Sequence, residues 1–254
     1  MLSNTISPNK VSVCIAACNG SKYIYNQLVS ILHQLRQDDE IIICDDKSDD
    51  STVEIICSIA DKRINLFLND TRLGHVKNFE KAISLARGSY IFLSDQDDIW
   101  LDNKLDLFYQ KLINAKSPSL VVGNFVEVDN NLTPLYSRLN SSKLAGNANN
   151  KLKMFFNILN GKSKFYGCCF AFHESLRDKI LPFPRKIEAH DMWIGLICSI
   201  FGSVILIEQI TLLRRIHGNN ISPRVRRGLK KIIISRLIYL ICIVKFFFMK
   251  RKFN

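Results

Sequence analysis

Four apolar runs, VSVCIA at residues 11–16, EIIIC at 40–44, INLFL at 64–68 and YIFLS at 90–94, alternate with segments whose apolar residues recur at helical spacing. The first intervening segment carries Tyr23, Leu28, Ile31 and Leu32; the next are TVEIICSIA and HVKNFEKAISL, the last followed by Gly88 as a helix stop signal. Runs this apolar are buried on both faces, and strands separated by helices need crossover connections. The alternation therefore predicts an α/β fold with a mostly parallel central sheet flanked by helices. Ligands of such sheets gather at the carboxyl ends of the strands. Three of those ends carry polar signals: Cys18-Asn19-Gly20, Asp45-Asp46, and Asp95 to Asp98.

The second half is less regular. LVVGNFVEVD reads as a strand, residues 137–150 as a mobile loop rich in Ser and Asn, KFYGCCFAFHESL as a strand entering a short helix, and AHDMWIGLICSIFG as a helix with His190 and Asp191 in its first turn. A strand, ILIEQITLLRRIHG, and a basic apolar tail follow.

FLSDQDDIW, residues 92–100, sets three carboxylates at the end of a buried run. Side chains of a strand repeat every second residue, so Asp95 and Asp97 point the same way if strand geometry persists. A hard divalent cation, Mg²⁺ or Mn²⁺, compensates such a cluster, and Mg²⁺ is commonly held by one or two carboxylates plus substrate phosphates. The same acids also fit a helix cap before Leu101, and D-x-D alone does not separate the two readings.

VSVCIAACNG, DEIIICDDKSDDST, LGHVKNFEKAISLARGSYIFLSDQDDIW, GCCFAFHESL, HDMW and RIHGNNIS run in the order of the blocks of family 2 glycosyltransferases, which the chain resembles over about residues 10–222. It is most similar to bacterial enzymes of surface-polysaccharide synthesis, including rhamnosyltransferases. The resemblance implies a GT-A (Rossmann-like) fold and inverting transfer of a sugar from a nucleotide-diphosphate donor, dTDP-rhamnose or a UDP-hexose. The implied acceptor is a polyprenyl-diphosphate-linked saccharide of O-antigen or capsule synthesis. It implies that Ala16, Cys18, Asn19, Asp46 and Asp95 bind the donor nucleotide, with Asp46 on the base and Asp95 on the ribose. Asp97 and Asp98 are implied to hold the metal, and Asp191 to act as the general base. His190, Trp193, Arg215 and His217 are candidate phosphate or acceptor contacts, with Arg214 beside them. The chain departs from the family pattern at Cys18, where an aromatic residue is common, and at Lys47, where Gly is common. These departures keep open a second reading, a catalytically silent, membrane-bound assembly subunit of the same pathway.

The net charge of +12 is concentrated in the tail. Twelve of the 35 Lys and Arg lie from Arg214 onward with no acid among them, so the remaining 23 balance the 23 acids. The stretch Leu237 to Met249, broken by Lys245, is short of the roughly 20 apolar residues of a spanning helix, so the tail is expected to lie on a membrane surface with its cations toward anionic lipid, with a C-terminal helix packed on the core as the other reading. Its aliphatic interleaving argues against nucleic acid. The expected organisation is a glycosyltransferase domain at 1–222, with a nucleotide-binding half at about 10–115 and an acceptor half at about 116–222, and a membrane-associating tail at 223–254. Eight cysteines without a CxxC pair point to reduced thiols. With no export segment expected in the polar MLSNTISPNK, the predicted location is cytoplasmic, peripheral on the inner face of the membrane.

Overall fold

The structure, a computed structural model, describes residues 7–139, 150–162, 165–218, 220 and 228–251. Of the loop expected at 137–150, residues 137–139 belong to a strand and Asn150 caps a helix, while 140–149 lie outside the described residues.

The first half is as the alternation predicts. β1 (Ser7–Ala17), β2 (Glu40–Asp45), β3 (Ile64–Leu68) and β4 (Gly88–Ser94) form parallel pairs in the order β3-β2-β1-β4, joined by α1 (Ile24–Leu32), α2 (Thr52–Ser58) and α3 (His75–Leu85). Successive residues of these strands feed different cores. Cys14, Ile42, Cys44, Ile91 and Leu93 pack on one side of the sheet, and Val13, Ile15, Ile41, Ile43 and Phe92 on the other. This period-2 division is why the runs are apolar at every position.

β5 (Ile99–Trp100), α4 (Lys104–Ile113), β6 (Ser119–Val128), β7 (Pro134–Leu139), α5 (Lys151–Leu159), β8 (Phe170–His173), α6 (Arg177–Ile180), α7 (His190–Phe201), β9 (Ser203–Arg215) and α8 (Leu229–Arg251) complete the chain. The sheet continues β4-β8-β6-β9-β5, with β7 on β6. It is mixed rather than mostly parallel, because β8 runs antiparallel to both β4 and β6, and β5 antiparallel to β9. One sheet thus runs through both expected halves. β8 opposes β4 with Phe92 beside Ala171, so the residues just before β8 arrive at the carboxyl end of β4. β9 runs parallel to β6 and brings Arg214 and Arg215 to the same end, where β5 pairs Ile99 with Leu213.

α8 lies against α7. Tyr239 is 1% exposed, and its hydroxyl donates to the Ala189 carbonyl at 2.8 Å and accepts from the Ala189 N–H at 3.0 Å. Ile243 is buried and Phe246 meets Trp193 and Phe201 edge-on. No helix among the described residues is long and apolar enough to cross a membrane.

Gly88 does not stop α3, which ends at Leu85; it opens β4 where the strand presses on β1. A Cβ there would lie 2.6 Å from the Lys10 carbonyl oxygen and 2.8 Å from the Ser12 nitrogen, both backbone atoms. Gly88→Ala should therefore force the two strands apart and cost about 1–3 kcal/mol in chemical denaturation, as overpacking does; unchanged stability would remove the close approach as the reason for glycine.

Candidate active site

The site is built where the acids of β4 meet the ends of β1, β8 and β9. The three acids sit in different environments. Asp98 is 1% exposed. Its Oδ1 accepts the Arg215 backbone N–H at 3.0 Å, while Oδ2 is enclosed without a hydrogen-bond partner among the described residues. Asp97 Oδ2 meets His217 Nε2 at 2.7 Å and accepts from Asn220 Nδ2 at 3.2 Å. Asp95 is partly exposed, with a carboxylate oxygen within 4.8 Å of the Cys168 sulfur.

Enclosure and mutual repulsion make the cluster reluctant to ionise. Burial, then Asp97, push Asp95 up to about 7, with Arg214 opposing and Asp191 adding to the rise. Burial and the neighbouring Asp97 and Asp95 likewise raise Asp98. Positive charge is close at hand. Arg214 is buried, pairs with Glu127 at 3.3 Å and lies over the Tyr166 ring at 4.6 Å. Arg215 donates from Nε to the Asp97 carbonyl at 3.0 Å and from Nη1 to the Asn130 carbonyl at 2.7 Å, and it covers the Tyr23 ring. Tyr23 stacks on His217 with ring centroids 4.7 Å apart. Lys104 is fully buried and donates to the Cys168 carbonyl at 2.8 Å, its pKa lowered by burial.

Gln96, between the acids, fixes the cluster to β1. Its Oε1 accepts the Cys18 N–H and its Nε2 donates to the Cys18 carbonyl, both at 2.9 Å. A Cβ at Gly20 would lie 2.3 Å from Gln96 Oε1, so glycine leaves the amide its place. Cys18 Sγ reaches the Asp46 carbonyl at 3.7 Å. Asn19 has φ +50°, donates from its N–H to Ser48 Oγ at 2.8 Å and accepts the Asp49 N–H at 2.8 Å. Ala16 sits on β1 opposite Cys44. Lys47 has φ +58°, a backbone state that glycine takes without strain.

The structure thus brings Cys18, Asp95, Asp97, Asp98, Arg215 and His217 together. Asp46 stands beside them but is heavily engaged: its carboxylate accepts the Leu73 and Gly74 N–H groups at 2.7 and 2.8 Å and Asn69 Nδ2 at 2.9 Å, holding the segment before α3. Two candidates lie inside the packing. Trp193 is 1% exposed and donates from Nε1 to the Ile180 carbonyl at 2.8 Å. His190 is 7% exposed and stacked on Phe79, and burial lowers its pKa to about 3, so it is neutral. Asp191, one residue on, opens α7 partly exposed, accepts the Met192 N–H at 2.6 Å and lies within electrostatic reach of Asp95 and Tyr166. Gln96, Tyr23, Cys168 and Lys104 are the contributors that sequence reasoning misses. Only Gln96, inside the acidic motif, carries a signal of its own.

The cluster fits a hard divalent cation: its carboxylates are crowded and one enclosed oxygen lacks a partner. Asp98 and Asp97 are the two acids tied to the end of β9 and the residues after it, through the Arg215 backbone N–H and His217.

A profile of the family described as glycosyl transferase family 2 matches residues 12–181. Among similar proteins, the Escherichia coli UDP-Glc:alpha-D-GlcNAc-diphosphoundecaprenol beta-1,3-glucosyltransferases WfgD and WfaP are 31% and 41% identical over 121 and 95 residues. These matches cover 48% and 37% of this chain and 47% and 38% of those proteins. Glycosyltransferase GlyG of Streptococcus pneumoniae serotype 4 is 32% identical over 121 residues, 47% of this chain and 40% of GlyG. The chain thus spans less than half the length of each of these relatives. The crystal structure of S. aureus TarS 1-349 in complex with UDP-GlcNAc superposes with a TM-score of 0.69 at 15% identity, over 91% of this chain and 66% of that one, which shows the shared GT-A fold.

Asp95 sets a pH test. Between about 4, where it ionises in the unfolded chain, and about 7, folded Asp95 keeps a proton that the unfolded chain has released, so its contribution to stability falls as pH rises. His190, held neutral, acts in the opposite sense over part of that window. In chelator, the melting temperature of wild type relative to Asp95→Asn should therefore decline from pH 5 to 8; a constant difference would refute the raised pKa.

Proposed function

The chain belongs to glycosyl transferase family 2, and from that premise we propose that it moves a hexose from a UDP-linked donor to a lipid-linked saccharide acceptor with inversion at the anomeric carbon. The observation that carries the reading is the convergence at one sheet edge of Asp95, Asp97 and Asp98 with Arg214, Arg215 and His217, and with Asp191 in electrostatic reach from another element. The relatives named for UDP-Glc and a diphosphoundecaprenol acceptor, and the TarS complex with UDP-GlcNAc, favour UDP over the dTDP-rhamnose that the sequence also allows.

In this reading Asp95, at the partly exposed mouth, accepts the ribose hydroxyls. Asp46 turns its remaining lone pairs to the base while its other contacts hold the 69–74 segment. Ala16, Cys18 and Asn19 supply the backbone edge of β1. Mg²⁺ or Mn²⁺ held by Asp97 and Asp98 would act as a Lewis acid toward the leaving diphosphate. His217 and Asn220 hold the Asp97 carboxylate by hydrogen bonds, and Arg215 holds its backbone carbonyl. Asp191 takes the proton from the attacking acceptor hydroxyl on the opposite face of the sugar, and a single displacement then inverts the centre.

α8 supports a surface location for the acceptor lipid. Its Tyr239 and Ile243 stripe faces the protein, while Ile233, Leu237, Ile241, Val244 and Phe248 are exposed together on the opposite side at helical spacing. Lys230, Lys231 and Lys245 are exposed beside them. Apolar side chains with flanking cations fit an anionic bilayer surface, the peripheral, cytoplasmic-face placement we assign to the protein.

Purified protein with Mn²⁺ should release UDP from a UDP-hexose in the presence of a lipid-diphosphate saccharide. Asp191→Asn should lower that rate by about 10²–10⁴-fold with donor affinity retained; unchanged turnover would remove Asp191 as base, and release from dTDP-rhamnose alone would overturn the donor. In flotation assays, Leu237→Glu/Ile241→Glu/Phe248→Glu should stay off phosphatidylglycerol vesicles that carry the wild type. Equal flotation would exclude this face.

A further inference from the structure

Cys168 is a group of the site with metal-ligating chemistry that the transferase reading does not use. It precedes β8, whose antiparallel course delivers it to the end of β4, and it is 1% exposed. One ligand atom from each of Asp95, Asp98 and Cys168 lies within 4.8 Å of the other two. Asp98 Oδ2 is enclosed in the same place without a partner, an uncommon state for a buried carboxylate oxygen. Asp95, partly exposed, leaves a way in from solvent.

We propose that Asp95, Asp98 and Cys168 form a site for one thiophilic divalent cation of the Zn²⁺ or Cd²⁺ type, with the Cys168 thiolate as a ligand. Oxygen and sulfur donors around a tetrahedral Zn²⁺ stand about 3.3–3.5 Å apart, so the three groups need to close by about 1.5 Å at most. A thiolate favours soft and borderline cations over Mg²⁺, whereas carboxylates serve either kind. Hence the ligand set differs from the all-oxygen pair Asp97 and Asp98. As the cation enters, the Cys168 thiol proton, with any proton on the two carboxyls, passes to solvent, and no electron is transferred. Lys104 holds the Cys168 carbonyl, so the backbone that presents the sulfur is fixed from behind. Asp98 belongs to both sets, so a soft cation excludes a hard one. The site goes beyond the transferase reading, and its detection needs no turnover.

The test is Cd²⁺ titration of the full chain in a Cys57→Ala background, which removes the exposed thiol. The readouts are the ultraviolet thiolate-to-cadmium charge-transfer absorption, calorimetry, and mass spectrometry of Cys168 alkylation. One equivalent of Cd²⁺ should produce the band, release protons and protect Cys168. Cys168→Ser should lose the band and weaken binding at least about tenfold, while Cys169→Ser keeps both. Asp98→Asn, with the thiol intact, should weaken binding comparably, which separates lost ligation from misfolding when melting curves of all variants are compared. Absence of the band in the parent, or a band that survives Cys168→Ser, would overturn the proposal.

Discussion

Asp98 accepts the backbone N–H of Arg215 from 117 residues further along the chain, in an interior where neither group meets water. A carboxylate removed from water must be met by donors or cations, or it takes up a proton. Here the donor comes from the last strand of the sheet, whose next side chains supply the cations. The turn after β4 and the end of β9 are therefore not independently placed. β5, two residues long, pairs with β9 immediately beside this contact and carries the same tie into the sheet. Arg215 then holds the Asp97 carbonyl, and His217 the Asp97 side chain.

That tie explains why three acids can crowd the end of a buried strand. Each is given a different neighbour: Asp95 the Cys168 sulfur within 4.8 Å, Asp97 the hydrogen-bonding His217 and Asn220, Asp98 a backbone N–H. The compensation is incomplete, since one Asp98 oxygen has no partner and Asp95 is pushed to about 7. Incomplete compensation is a poor arrangement for stability alone and a suitable one for receiving a cation. Had the acids been ordinary helix caps before α4, they would lie in water; instead Asp98 is enclosed, and Asn103 stands at the start of that helix.

The parallel half of the fold was legible because hydropathy directly records burial on both faces. Residues such as Cys14 and Val13 alternate between two cores and are apolar for the same reason. Strand direction leaves no such mark. FAFH reads the same whichever way β8 runs, so neither its antiparallel insertion nor the arrival of Cys168 beside Asp95 could be read from the sequence. The acids were legible as a cluster, their partners much less so. Lys104 resembles any surface lysine of an amphipathic helix, and its burial depends on the Cys168 carbonyl and the Trp100 ring, 4.4 Å from its Nζ. His190 and Trp193, candidate contacts by sequence, lie in the packing for the complementary reason. They flank Asp191 in sequence, but on a helix neighbours in sequence point in different directions, so the polar position can open outward while the aromatic ones fill the core.

The two departures from the family pattern differ in weight. At Lys47 the left-handed backbone persists without glycine, so the turn after β2 keeps its shape at a cost of about 1–2 kcal/mol. At Cys18 the backbone, not the side chain, carries the connection, because both Gln96 bonds go to main-chain atoms. A residue whose contribution is its N–H and carbonyl can change side chain without moving the loop. What such a change alters is the surface offered to whatever lies against it, and a thiol offers far less area for stacking than an aromatic ring. The geometry of the acids is thereby insulated from variation at position 18, whereas Gln96, whose side chain makes both bonds, has no comparable freedom.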